Sequence, residues 1–342
     1  MKKHAVYILL ITIALCSCNQ KNTQKLEGKA TDLKEILKND SISKIEKLNA
    51  MVNSYPADPE SYYKRALAYM DIDSLELAAS DMKSVMMLDT TNAKYFNSLG
   101  ELYVRLTEFS AADAAFEKSL GLDSSFATPC TNKGELLYYK KAYNPAFEYI
   151  NKGLRRNPND PKAYFLKGLI YLDQKNIERS VSSFQTALEQ DPSYYQAYIQ
   201  LGIISELQKK PAQAYLYYNN AIKIDSLQTD GYYNRGMYYL KADSVQKAQQ
   251  DFKKLLSLNE KSPRANYNLG TIALRNLNYA EAFQYFSAAI SLNLEYAEAY
   301  AARGYASELQ GKKADAVADY NRCLEINPKN NIATQGKKRL RN

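Results

Sequence analysis

Phe96-Asn97-Ser98-Leu99-Gly100-Glu101-Leu102-Tyr103 returns two periods later as Tyr164-Phe165-Leu166-Lys167-Gly168-Leu169-Ile170-Tyr171. Around these stretches, small residues sit 34 positions apart without insertion or deletion: Ala66, Gly100, Gly134, Gly168, Gly202, Gly236, Gly270 and Gly304. A fixed period of this size means one supersecondary unit copied in tandem. It decides the architecture of most of the 342-residue chain.

The first half of each unit places apolar or aromatic residues three, four and seven apart, one face of a helix. The second half does so again, as at Ala282, Phe286, Ala289 and Ile290. Junctions such as Asn157-Pro158, Asp191-Pro192 and Asn327-Pro328 end one helix and start the next. Glycine at the eighth position of a unit is expected to let two helices approach closely. Departures are modest. Cys130 replaces the aromatic of the third unit, and Asn266 that of the seventh, with Tyr267 following. The residue before the small one is basic in five units: Arg65, Lys133, Lys167, Arg235 and Arg303. These are expected to lay their stems on apolar surface and keep the charge in water.

The spacing aromatic-x2-Leu-Gly-x2-Tyr, then Ala112-x3-Phe116, then a terminal Pro such as Pro192, resembles the tetratricopeptide repeat. The resemblance implies an all-α, right-handed superhelical solenoid of helix-turn-helix units. Eight units are expected over residues 59–330, starting near Pro59, Ala93, Ala127, Pro161, Tyr195, Thr229, Pro263 and Ala297. Residues 29–58 carry two weaker helical patterns (Leu33, Ile36, Leu37; Ile45, Leu48, Met51, Val52) and read as N-terminal capping helices. Residues 331–342 read as the closing helix, because an end unit without a cap exposes its stacking face.

Composition narrows the chemistry. Trp is absent and Tyr is abundant, with 30 copies, mostly at packing positions. The single histidine is His4, so His-based catalysis and His metal sites are not expected in the remainder. No Gly-x-x-x-x-Gly-Lys phosphate loop occurs. Cys130 and Cys323 lie in the third and eighth units, too far apart to bond, and read as small buried hydrophobes. The expectation is a non-enzymatic protein without cofactor or metal.

Residues 1–18 have a basic start (Lys2, Lys3), an apolar run from Ala5 to Leu15, and then Leu15-Cys16-Ser17-Cys18. The run is too short to span a bilayer and reads as a secretory signal. Its end resembles the bacterial lipoprotein box, which implies lipidation at Cys18. Cys16 fits worse, since Leu15 stands where the family has a small residue. Residues 19–28 are polar and read as a flexible tether. The expected location is the bacterial cell envelope, lipid-anchored, at the outer membrane facing the periplasm. Without Lys2 and Lys3 the chain keeps 43 basic and 37 acidic residues, a mild +6. Nucleic acid is not expected as a partner. The basic cluster Lys337, Lys338, Arg339 and Arg341 reads as cations at the negative end of the closing helix.

In the tetratricopeptide family the first helix of each unit lines a concave groove through its positions 2, 5, 6, 9, 12 and 13. Carried onto this chain, Asn132, Asn234 and Asn268 occupy position 6, where an amide can grip a peptide backbone. Phe165, Leu169, Ile199 and Ile203 give the middle of the groove an apolar strip, extended by Tyr233, Met237 and Tyr267. The function expected is a protein–protein interaction scaffold holding a protein segment. The alternatives are a pilot or assembly subunit of one secretion, gliding or pilus machine, and a glycan- or peptidoglycan-associated protein.

Overall fold

The computed structural model describes residues 43–341. The signal segment, Cys16, Cys18, the tether and the Leu33, Ile36, Leu37 pattern lie outside the described residues. All regular structure among the described residues is α-helical. Helix α1 covers residues 43–54. Eight helix pairs follow. The first four are α2 (Pro59–Asp71) with α3 (Leu75–Leu88), α4 (Ala93–Arg105) with α5 (Phe109–Leu122), α6 (Thr128–Tyr139) with α7 (Tyr143–Arg156), and α8 (Pro161–Asp173) with α9 (Ile177–Gln190). Then come α10 (Tyr195–Leu207) with α11 (Pro211–Ile224), α12 (Thr229–Lys241) with α13 (Val245–Leu258), α14 (Pro263–Arg275) with α15 (Tyr279–Leu292), and α16 (Ala297–Leu309) with α17 (Lys313–Ile326). Helix α18 (Asn331–Arg341) closes the series.

Two local devices punctuate every pair. Within the pair, the turn places one residue in the left-handed region: Asp73, Thr107, Lys141, Lys175, Lys209, Asp243, Leu277 and Gly311. After the second helix, an Asp or Asn accepts the backbone N–H two residues on. Asp89, Asp123, Asn157, Asp191, Asp225, Asn259, Asn293 and Asn327 all do so. This side-chain mimic of a backbone turn explains why Asp or Asn recurs there even where Pro does not. Helix starts are capped too: Asp58, Asn92, Asp160 and Ser262 accept from first-turn amides.

In seven of the eight pairs, all but α10 with α11, the first helix packs on the second helix of its own pair, and the expected glycine role holds at Gly100, Gly134, Gly168, Gly236, Gly270 and Gly304. A Cβ on Gly168 would stand 2.5 Å from the Phe184 ring, and one on Gly270 2.6 Å from Phe286. Where the small residue is Ala66, the facing side chain is Met82 rather than a ring. The rings Phe116, Phe184, Phe252, Phe286 and Tyr320 are fully buried.

The basic residues before the small position depart from expectation. Arg65, Arg235 and Arg303 do not hold their charge in water. Each makes a two-pronged ion pair with a buried carboxylate 16 residues on: Asp81, Asp251 and Asp319, each with one contact of 2.7 Å. The remaining guanidinium nitrogen reaches the helix before: Asn49, Asn219 and Ser287. Lys133 reaches Asp113 and Glu117 on the preceding pair. Where leucine replaces the cation, at Leu99, Leu201 and Leu269, the residue 16 positions earlier is Lys83, Gln185 or Lys253. Fork-shaped guanidinium donors suit a carboxylate at such a site.

The chain forms two compact bodies, with the division between Ile204 and Ser205, inside α10. In the first body, cores form around Met82, Val85 and Leu102, around Phe116 and Leu136, and around Ile150, Leu166 and Ile170. In the second, they form around Phe252, Leu269 and Ile272, around Phe286 and Ala302, and around Tyr320 and Ala333. Cys130 and Cys323 are buried free thiols.

Candidate partner-binding face

In the first body, first helices α2, α4, α6 and α8 lie side by side. Their shared face carries a connected polar chain. The Asn132 amide donates to Asn97 Oδ1 at 2.9 Å and to Glu101 Oε1 at 2.5 Å. Its Oδ1 accepts from Lys162 Nζ at 2.8 Å, and Lys162 also pairs with Glu135 at 2.6 Å. Thr131 donates to Asp160 Oδ2, the carboxylate that caps α8. Asn97, Glu101, Glu135 and Lys162 fall at positions 5, 9, 9 and 2 of their units. The inward register would have found them, but attention to position 6 and to apolar residues passed them over.

Asn132 is therefore not an open gripping amide. It is 2% exposed and its donors and acceptor are all engaged. The apolar strip is also largely packing surface. Ile199 is 7% exposed, and neighbouring Leu166 is 2% exposed. A side chain removed from water to that degree cannot present itself to a partner, which corrects the expectation for Ile199. Phe165 is half-buried, its ring 5.3 Å from Phe184 and 5.2 Å from Tyr194. Leu169 is half-buried against the Ile150–Ile170 core. Ile203 is half-buried.

The second body brings the other five predicted residues together. Tyr233 and Met237 of α12 pack against the cluster formed by Ala248 and Phe252 of α13 with Leu269 and Ile272 of α14. Tyr267 packs against Phe286 and Tyr296, with ring centroids at 5.6 and 5.2 Å. Tyr233, Met237 and Tyr267 all stay half-buried, leaving an apolar floor partly open. Burial pushes the Tyr267 phenol above its ordinary value, so it stays a neutral donor. Asn234 and Asn268 each donate to a carbonyl of their own helix, Asp230 O at 2.8 Å and Arg264 O at 3.0 Å. Their Oδ1 atoms accept from nothing among the described residues. Asn234 is half-buried, and Asn268 is the more enclosed of the two. Each amide keeps one N–H and its carbonyl oxygen without a partner among the described residues, and Asn234 has the greater access to a partner, since Asn268 is only 8% exposed.

Comparison with known proteins gives a consistent result. Models described as tetratricopeptide repeat match residues 93–126, 161–194, 233–293 and 297–330. Human tetratricopeptide repeat protein 13 is 26% identical over 148 residues, 42% of this chain and 17% of that protein. The chain thus spans about a sixth of that relative's length. Among solved structures, the APC/C hetero-tetramer Cut9-Hcn1 aligns over 86% of this chain and 58% of that chain. Its TM-score is 0.62 at 14% identity, which shows a shared fold. YrrB, titled a TPR protein with an unusual peptide-binding site, aligns over 56% of this chain and 99% of its own, with a TM-score of 0.47 and 21% identity. The 34-residue period, the helix pairs that realise it and these four matched stretches identify the chain as a member of the tetratricopeptide repeat family.

Proposed function

We propose that this chain is a non-enzymatic scaffold of the bacterial envelope, lipid-anchored at Cys18, which holds an extended segment of a protein partner. The reading rests on one observation. Asn234, half-buried, keeps a carbonyl oxygen that accepts nothing among the described residues beside the half-buried floor of Tyr233, Met237 and Tyr267, and Asn268 repeats the arrangement one period later in a more enclosed setting. A side-chain carbonyl oxygen can accept from the N–H groups of an extended backbone, and the floor suits its apolar side chains. The Cys18 anchor rests on the sequence of residues 15–18 alone.

The test is capture of partners by the full-length protein from its own membranes, read by mass spectrometry. A partner retained by the wild type and lost with Asn234→Ala/Asn268→Ala, while helical content is unchanged, supports the reading. Retention undiminished in that variant places the binding face elsewhere. One stoichiometric partner favours a dedicated machine subunit; glycan without protein overturns the scaffold. Cys18→Ala is expected to abolish lipid labelling, and labelling that survives it refutes the anchor.

A further inference from the structure

Four of the five cations that precede the small residue are neutralised within the chain. Arg65, Arg235 and Arg303 each hold an Asp at 2.7 Å, and Lys133 holds Asp113 at 3.0 Å. Lys167 differs. Its Nζ makes one long hydrogen bond, 3.4 Å to Asn151 Oδ1, and no ion pair among the described residues. The place taken elsewhere by Asp81, Asp251 and Asp319 is taken here by Ser183. The substitution leaves room as well as charge. Lys167 opens onto a cleft of about 250 Å³ lined also by Tyr171, Arg179, Ser182, Ser183 and Thr186, with no carboxylate in its wall.

Arg179 is the second cation of the cleft. Its guanidinium lies 5.7 Å over the Tyr171 ring, which orients it without neutralising it, and it too makes no ion pair among the described residues. Ser183 and Thr186 donate to helix carbonyls, whereas the Ser182 hydroxyl donates to nothing among the described residues. Burial lowers the proton affinity of Lys167, the cost of a cation that has lost its counter-charge, and a bound anion would reverse that shift.

We propose that the cleft between α8 and α9 is a binding site for a phosphate-type oxyanion, held between Lys167 and Arg179 where three sister units hold their own aspartate. The ligand is a compact dianion, either free phosphate or the phosphate of a modified serine side chain. A single carboxylate would satisfy one cation and leave the other uncompensated.

The test is calorimetric titration of the full chain with inorganic phosphate, and separately with a short phosphoserine peptide. Saturable one-site binding is expected with at least one of them. Three variants should weaken it at least tenfold. Lys167→Leu installs the residue found at this register in Leu99, Leu201 and Leu269. Ser183→Asp supplies the internal counter-charge of the sister units. Arg179→Gln, at an exposed position, removes the second cation without touching the core. Circular dichroism checks that each variant is folded. Binding of phosphate alone identifies the free ion as ligand, and binding of the peptide only identifies a modified partner. No saturable heat with either probe, or affinity unchanged in the folded variants, overturns the proposal.

Discussion

Leu277 holds a left-handed backbone, φ 61°, at a turn where the next unit uses Gly311 at φ 74°. A branched side chain there crowds its own carbonyl, and Leu277 is exposed, so it recovers little by packing. Leu277→Gly should raise the stability of the second body by on the order of 0.5–1 kcal/mol, seen as a higher denaturant midpoint. The opposite sign is expected at Ile199. It is almost fully buried, and Ile199→Asp would place an unpaired carboxylate among apolar neighbours. A loss of more than about 3 kcal/mol should follow, read by chemical denaturation. Unchanged stability in that variant would restore Ile199 as a surface residue.

Pairs of helices are joined by the Arg–Asp clamps, and these behave differently from surface ion pairs. Asp251 is buried, so Asp251→Ala should strand the Arg235 charge and cost about 3–5 kcal/mol. Arg235→Leu/Asp251→Ala recreates the Leu99 and Ala115 combination of the second unit and should recover most of that loss. The closing helix is held by another charged contact. Arg339 donates twice to Glu308, at 2.6 and 2.8 Å, and Tyr320 donates to the same carboxylate at 2.6 Å. These hydrogen bonds, Arg339 first, hold the Glu308 carboxyl below its ordinary value against the opposing effect of burial. A depressed carboxyl stabilises the folded form above its unfolded value and loses that contribution as pH falls through its folded one. Amide protection in α18 should therefore fall on acidification below the usual glutamate range. Glu308→Gln should flatten that dependence.

Each compact body has its own cores, and a unit in a repeat array draws its stability from its immediate neighbours. Gly168→Leu drives a side chain into Phe184 and should cost about 1–3 kcal/mol. The damage should stay in the body that ends at Ile204. Native hydrogen exchange checks this: protection should fall around α8 and α9 while α14 to α17 keep theirs. Uniform loss along the whole chain would contradict the local character of the stacking.

The 34-residue period was readable in the amino-acid order because it is a local property: small residues, apolar spacing and junction residues recur whatever the chain packs against. That determined the helix pairs, the glycine contacts and the family. Asp or Asn after the second helix was visible at junctions such as Asn157, Asp191 and Asn327, although the hydrogen bonds that make it recur in all eight were not. The candidate face was only half legible. Register alone put Tyr233, Asn234, Met237, Tyr267 and Asn268 at matching positions of two successive first helices, as their spacing implied. It could not say that Asn132 spends its amide on Asn97, Glu101 and Lys162, or that Ile199 is sealed in the stack. Nor could it say which cations are paired. Arg65 and Lys167 occupy the same position of their units, and only the partner 16 residues on, Asp81 in one case and Ser183 in the other, separates a clamp from an open site. A helical pattern specifies which face a side chain lies on. Whether that face is covered, and whether a charge on it is met by its opposite, depends on neighbours brought near by packing, and the tertiary structure alone decided that.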